Sequence, residues 1–195
     1  MNVLAGGLYA TENYEDALTV QEAGLSIERR IGGSVRDMLS AQGNLAITYA
    51  KLGRREAAMR LRRDVYSGRL RLNGEDHEET LRAAHNYAVS LRDLSRYEET
   101  KSLLRKTIPI ARRVLSENHK TTLTMRSVYA EALFCDSGAT LDDLREAVAT
   151  LEDAERIGRR VFGGAHPTTA LIERNLRAAR AALRARENAA TVDPD

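Results

Sequence analysis

Three histidines recur at regular intervals and are the first candidates for chemistry. His77 and His119 lie forty-two residues apart, and His166 follows forty-seven residues later. Imidazole nitrogens are common metal ligands and proton carriers. A metal site needs its ligands close together, whereas stacked helical repeats advance by about 10 Å each, and no Cys or second His stands at ligand spacing near any of the three. We interpret them as hydrogen-bonding residues at helix starts and predict no metal site.

The single cysteine, Cys135, is the candidate for thiol chemistry. A catalytic thiolate needs a base or a positive environment, and no histidine is near Cys135 in sequence. We therefore expect a buried structural thiol. No glycine-rich loop follows a strand, because the sequence indicates no strands. These observations predict no catalytic residue, no enzyme activity and no cofactor.

Composition narrows the class of protein further. With one cysteine the chain forms no internal disulfide, which favours a cytosolic or nuclear address, and we predict a cytoplasmic protein. The start of the chain lacks a signal-peptide pattern, and no stretch approaches the roughly twenty apolar residues that cross a bilayer. Thirty basic and twenty-eight acidic residues leave a net charge of +2, and aromatic residues are few. The composition therefore disfavours nucleic acid as a partner.

The elements that position these residues repeat along the chain. Asn44-Leu45-Ala46 returns as Asn86-Tyr87-Ala88 and then as Val128-Tyr129-Ala130, each forty-two residues on. The turn that begins at Gly53 matches the turn that begins at Ser95, with the same spacing. About five extra residues in the fourth turn account for the longer interval of forty-seven. Apolar residues within each unit fall at helical spacing, so each unit is predicted to be a pair of amphipathic helices.

Small residues recur where two helices of a pair would cross. Ala46, Ala88 and Ala130 hold this position, and a bulky side chain there would push the backbones apart. Arg177 replaces the alanine in the final helix, which suits a capping helix.

Particular residues resemble a known repeat family. Asn44-Leu45-Ala46-x-x-Tyr49-x-x-x-Gly53, followed by Glu56-Ala57-Ala58, resembles a tetratricopeptide repeat (TPR). The forty-two-residue period and the segment His166-Pro167-Thr168-Thr169 resemble the kinesin light chain type more closely. The resemblance implies an all-α fold: a right-handed TPR-type superhelical solenoid of antiparallel helix pairs, with about nine helices.

We expect a single TPR-like solenoid over residues 1–187 and a flexible tail over residues 188–195. The predicted repeats are 1–32, which is partial because Leu4-Ala5 aligns with Leu45-Ala46, then 34–74, 76–116 and 118–163, and a terminal helix at 166–187.

The resemblance also implies that the first helix of each pair, called a first helix below, lines a concave groove. In kinesin light chains this groove takes short acidic peptides. Aligning the internal repeats with one another identifies candidate groove positions that flank the crossing alanines. They are Asn44, Ile47, Lys51, Arg82, His85, Asn86, Val89, Arg92, Ser127, Glu131, Phe134, Arg174 and Asn175. Asparagine can pair with the amides of an extended peptide, and basic side chains attract carboxylates.

Several alternatives stay open at this point. Asn44 and Asn86 could instead hold neighbouring repeats together, and the arginines could form a solvated face, as we expect for Arg60-Leu61-Arg62-Arg63. The leading hypothesis is a scaffold that binds a peptide or protein segment, with an acidic segment favoured. The other two are a self-associating structural array and a regulatory fragment of a larger multidomain protein.

Overall fold

The computed structural model describes residues 13–192 as eight α-helices, without a β-strand in that range. In chain order they are α1 (Tyr14–Arg30), α2 (Val35–Lys51), α3 (Arg55–Asn73), α4 (Glu78–Asp93), α5 (Tyr97–Leu115), α6 (Lys120–Phe134), α7 (Leu141–Phe162) and α8 (Pro167–Val192). The predicted all-α fold is confirmed for this part of the chain. The further helix predicted around Leu4 and Ala5 lies outside the described residues.

The chain divides into two compact units, Met1–Leu94 and Ser95–Asp195. In the first unit, α1 to α4 each pack on the next helix along the chain. In the second unit, α5 to α8 do the same, and α6 also packs on α8. The single solenoid over residues 1–187 and the flexible tail stay predictions, and α8 continues to Val192.

Apolar side chains at helical spacing form the core of each unit. In the first unit, Leu18 and Leu25 of α1 pack with Leu45 of α2, and the half-buried Tyr49 and Leu61 close the cluster. The second unit fully buries aliphatic side chains from all four of its helices, namely Leu104, Leu123, Leu133, Leu151 and Ile172. Burying a leucine stabilises a fold by about 1.5–3 kcal/mol. The apolar stripes predicted from the sequence therefore do hold the helix pairs together.

Small residues stand at the close helix contacts. Ala46, Ala88 and Ala130 are all 0 % exposed, which confirms their predicted packing role. Gly68 of α3 is a close contact without an equivalent in the repeat, because a Cβ there would lie 2.4 Å from Leu39 Cδ2 of α2. Side-chain volume at these positions sets how near two helices can approach.

The three histidines begin three first helices. His77, His119 and His166 precede α4, α6 and α8, and each Nδ1 accepts a hydrogen bond from the backbone N–H two residues on, at 3.2, 3.2 and 3.1 Å. Such a bond satisfies one of the N–H groups that a helix start leaves unpaired. The interpretation of the histidines as hydrogen-bonding residues at helix starts is confirmed.

A threonine hydroxyl fixes two of these helices against the preceding one. Thr80 Oγ1 donates to the carbonyl of Arg69 at 3.2 Å, and Thr122 Oγ1 donates to the carbonyl of Ala111 at 3.4 Å. Both threonines are almost fully buried. Histidine and threonine together therefore set where α4 and α6 begin and what they lie against.

A turn with a positive φ angle ends α3, α5 and α7. Gly74, Ser116 and Gly163 occupy equivalent positions there, with φ of 79°, 83° and 83° and ψ of 177°, 162° and 161°. This backbone region is essentially restricted to glycine and costs another residue about 1–3 kcal/mol. Ser116 therefore carries local strain that its two glycine counterparts avoid.

Replacing Ser116 with glycine is expected to stabilise the protein. Ser116→Gly should raise the free energy of unfolding by about 1 kcal/mol, because relief of strain exceeds the added chain entropy of glycine. Chemical denaturation measures the change. The control is Ser102→Gly at an exposed position inside α5, which should lose about 0.5 kcal/mol. A loss of stability in both variants would contradict the strain argument.

Removing a histidine cap is expected to cost about as much as losing any helix N-cap. His119→Ala should lower the free energy of unfolding by about 1 kcal/mol, because the Thr121 N–H loses its acceptor. Asparagine caps helices well, so His119→Asn should restore most of the loss. If the asparagine variant were as unstable as the alanine variant, the contribution of His119 would be something other than the cap.

Candidate functional site

The residues that the sequence offers as candidates for chemistry, three histidines and Cys135, lie at helix ends. Among residues 13–192, no three His, Cys, Asp or Glu side chains are grouped closely enough to hold a metal ion. Cys135 follows the last residue of α6 and is exposed, so the expectation of a buried thiol is wrong. The reason is local: the chain leaves the packed helix at Cys135 and enters the lengthened fourth turn.

Within residues 13–192, the structure has no helix of the length and apolarity that a bilayer crossing requires.

Helices α2 and α4 expose polar and basic side chains at repeat positions that flank the crossing alanines. We call this set of positions the first-unit face and define it by Asn44, Ile47, Lys51, Arg82 and Asn86. All five are exposed, and Ile47 shows 40 % of its surface. Within residues 13–192, the two asparagine amides and the two cationic groups form no hydrogen bond or ion pair. The face thus presents donors, acceptors and positive charge that the described residues leave without a partner.

The other three groove candidates of this unit are less accessible. His85 and Val89 are half-buried on α4. Arg92 shows 21 % of its side chain and donates to the carboxylate of Asp93, with Nη2 2.6 Å from Oδ1. Its charge is therefore already neutralised by a neighbour, unlike that of Lys51 or Arg82.

The corresponding face of α6 and α8 is closed on itself. We call it the second-unit face and define it by Ser127, Glu131, Phe134, Arg174 and Asn175. Asn175 Nδ2 donates to Ser127 Oγ at 3.1 Å and to Glu131 Oε2 at 3.2 Å. The structure buries Ser127 and Asn175, which the alignment had placed among exposed positions, because α8 packs across α6 there. Glu131 and Phe134 are half-buried, and Arg174 is exposed.

The asparagines therefore differ in what their side chains do. The bracing role considered for Asn44 and Asn86 belongs to Asn175, whose side chain joins two first helices. Asn44 and Asn86 contribute only backbone carbonyls, which accept from Thr48 Oγ1 at 3.4 Å and from Arg62 Nη1 at 3.3 Å.

Two arginines of the first unit, one buried and one half-buried, form internal hydrogen bonds that the repeat pattern did not predict. Arg69 is 5 % exposed and bonds the carboxylate of Glu79 at 2.9 Å and the hydroxyl of Ser40 at 2.8 Å, so it joins α2, α3 and α4. Arg62, expected on a solvated face, donates to Ser90 Oγ at 2.8 Å. Burial lowers the pKa of Arg62. Arg69 is therefore a buried structural residue, and the half-buried Arg62 is already engaged by Ser90.

The second unit contains two similar cations. Lys101 is 5 % exposed, and its Nζ donates a hydrogen bond to Asp136 Oδ2 at 2.9 Å. This hydrogen bond lowers the pKa of the Asp136 carboxyl. Arg126 is 7 % exposed and donates to Asp153 Oδ2 at 2.6 Å, which lowers the pKa of Asp153. Paired and hydrogen-bonded, a buried charge is tolerated, whereas removing one partner is costly.

An open cleft of about 740 Å³ lies between α7 and α8. Its charged lining is balanced and internally paired: Glu152 with Arg180, Asp153 with Arg156, and Glu155 with Arg159. The cleft therefore offers a ligand no unpaired charge among these groups.

Comparisons with known proteins identify the fold. A tetratricopeptide repeat family model matches residues 38–79 and 80–119. No curated protein sequence matches the chain significantly. A crystal structure of the nearly identical TPR-like repeats of a kinesin light chain-type protein from Podosopora anserina, in a variant form, is similar with a TM-score of 0.78 at 22 % identity, covering 96 % of this chain and 87 % of that one.

Two further structures share the fold at lower identity. BtubC (BKLC) from P. vanneervenii has a TM-score of 0.76 at 15 % identity, covering 93 % of this chain and 70 % of that one. A Rap protein complexed with Competence and Sporulation Factor has a TM-score of 0.58 at 16 % identity, covering 93 % of this chain and 52 % of that one. The predicted fold class is thereby confirmed: residues 38–119 match the tetratricopeptide repeat family, and the chain has the fold of kinesin light chain-like TPR proteins.

Proposed function

We propose that the chain is a protein-binding module whose first helices take a peptide or protein segment, and that the segment is acidic. Tetratricopeptide repeats generally mediate protein–protein interaction. The observation that carries the finer proposal is the first-unit face, where Lys51 and Arg82 are exposed cations without a partner in the described part of the chain. Unpaired guanidinium and ammonium groups attract carboxylates.

The remaining groups of this face fit an extended segment. The amides of Asn44 and Asn86 supply donors and acceptors that can pair with a peptide backbone of any sequence. Ile47 adds exposed apolar surface for a side chain of the partner. The Rap protein, which has a related fold, was crystallised with Competence and Sporulation Factor, and this supports a binding role for such a repeat array.

A self-associating array is the second candidate. Exposed aliphatic side chains are concentrated at the end of α1 and the start of α2, where Ile27, Ile31 and Val35 show 45, 71 and 54 % of their surface. Sedimentation over a range of concentrations distinguishes a monomer from a dimer that buries these residues. In either role we place the protein in the cytoplasm, where a lone cysteine such as Cys135 stays reduced.

Reversing the two unpaired charges is the direct test of acidic-segment binding. Peptides selected on the wild-type protein from a display library should be rich in Asp and Glu. The double variant Lys51→Glu with Arg82→Glu should bind them at least about tenfold more weakly, because attraction becomes repulsion. Binding should also weaken as salt increases, since these charges are exposed. Fluorescence anisotropy of a labelled peptide measures both effects.

A matched pair of charge reversals on another surface controls for net charge. Arg60→Glu with Arg71→Glu changes two exposed arginines of α3 by the same amount, and it should leave peptide affinity within about twofold of wild type. Helicity should be unchanged in both double variants. Equal loss of affinity in the two would show a general charge effect and would refute the proposed site.

A further inference from the structure

Resting on the proposed function, we propose that recognition is confined to the first-unit face and that the second-unit face is an internal brace that takes no ligand. Both faces belong to first helices, so the repeat pattern alone would assign them the same role. They differ in whether their polar groups are already used.

The first-unit face leaves its hydrogen-bonding capacity free. Asn44 and Asn86 stand at equivalent positions of α2 and α4, and both side-chain amides lack a partner in the described residues. Each amide offers two donors and a carbonyl acceptor. A partner backbone that crosses these helices can therefore pair with these amides, and no existing side-chain hydrogen bond has to be broken.

On the second-unit face, the equivalent hydrogen-bonding groups are already paired within the protein. Both N–H donors of Asn175 are engaged, one by Ser127 and one by Glu131, and the asparagine is only 5 % exposed. At the equivalent position of α6 the residue is Val128, which is 4 % exposed. A partner would have to break the brace to reach an amide, at the cost of leaving buried polar groups unpaired.

Charge separates the two faces in the same direction. The candidate residues of the first-unit face include two unpaired cations and no carboxylate. The second-unit face combines Arg174 with the carboxylate of Glu131, which would repel an acidic segment. The first-unit face therefore fits an extended segment with carboxylates and an aliphatic side chain, and the second-unit face does not.

The test compares variants of the two faces in the full chain, with an acidic peptide selected by display on the wild-type protein. Asn44→Ala with Asn86→Ala removes the free amides, and we expect affinity to fall at least about tenfold while thermal stability is kept. Arg174→Glu removes the exposed cation of the second-unit face and should change affinity less than about twofold. Asn175→Ala should lower the melting temperature by several degrees and leave affinity at low temperature unchanged.

The outcomes distinguish this inference from the proposed function. If Arg174→Glu weakens the peptide as much as the double asparagine variant does, recognition extends to the second-unit face and the inference is overturned, while acidic-segment binding stands. If the wild-type protein selects no peptide, the proposed function and the inference that rests on it both fail. Resonance shifts on adding the peptide give an independent readout, since they should cluster at residues 44–51 and 82–89 and spare residues 127–134.

Discussion

Close approach between helices at single small residues is the constraint on which each unit depends. Ala46, Ala88 and Ala130 are completely enclosed, and Gly68 of α3 lies so close to Leu39 of α2 that a Cβ would clash. A larger side chain at such a position would push the helices apart. Each helix then turns one fixed stripe outward, and it is this stripe that carries Asn44 and Lys51 on α2 or Arg82 and Asn86 on α4.

Periodic and local features were predictable from the sequence, because their physics is local. The histidine caps depend on the backbone two residues away, and the crossing alanines recur at one interval. The exposure of Asn44 and Arg82 followed from the same periodicity. The burial of Ser127 and Asn175 did not follow, because it depends on α8 packing across α6, a contact between distant segments that the repeat pattern does not specify.

The burial of Arg69 and Arg126 was not predicted from the sequence. A comparison between repeats does contain a signal for it. Arg69 is equivalent to Ala111, and Arg126 is equivalent to Ala84, and both alanines are 0 % exposed. A charged residue at an alanine position of an internal repeat therefore marks a buried ion pair in these two cases, whereas Arg177, at the alanine position of the final helix, is exposed. Such pairs contribute little net stability, yet Arg69 ties three helices of the first unit to one another.

The fourth turn shows how such an array changes length between repeats. Helix α7 has 22 residues where α3 and α5 each have 19, and it starts with a capping box in which Thr140 and Asp143 bond each other's backbone N–H groups. The insertion is divided between the turn before α7 and the start of that helix, and the histidine before α8 restores the register. Within this chain, repeats of different length therefore keep the same helix-end and helix-start geometry. A pattern of fixed length loses its register at such a site, and the family match ends at residue 119, where the lengthened repeat begins.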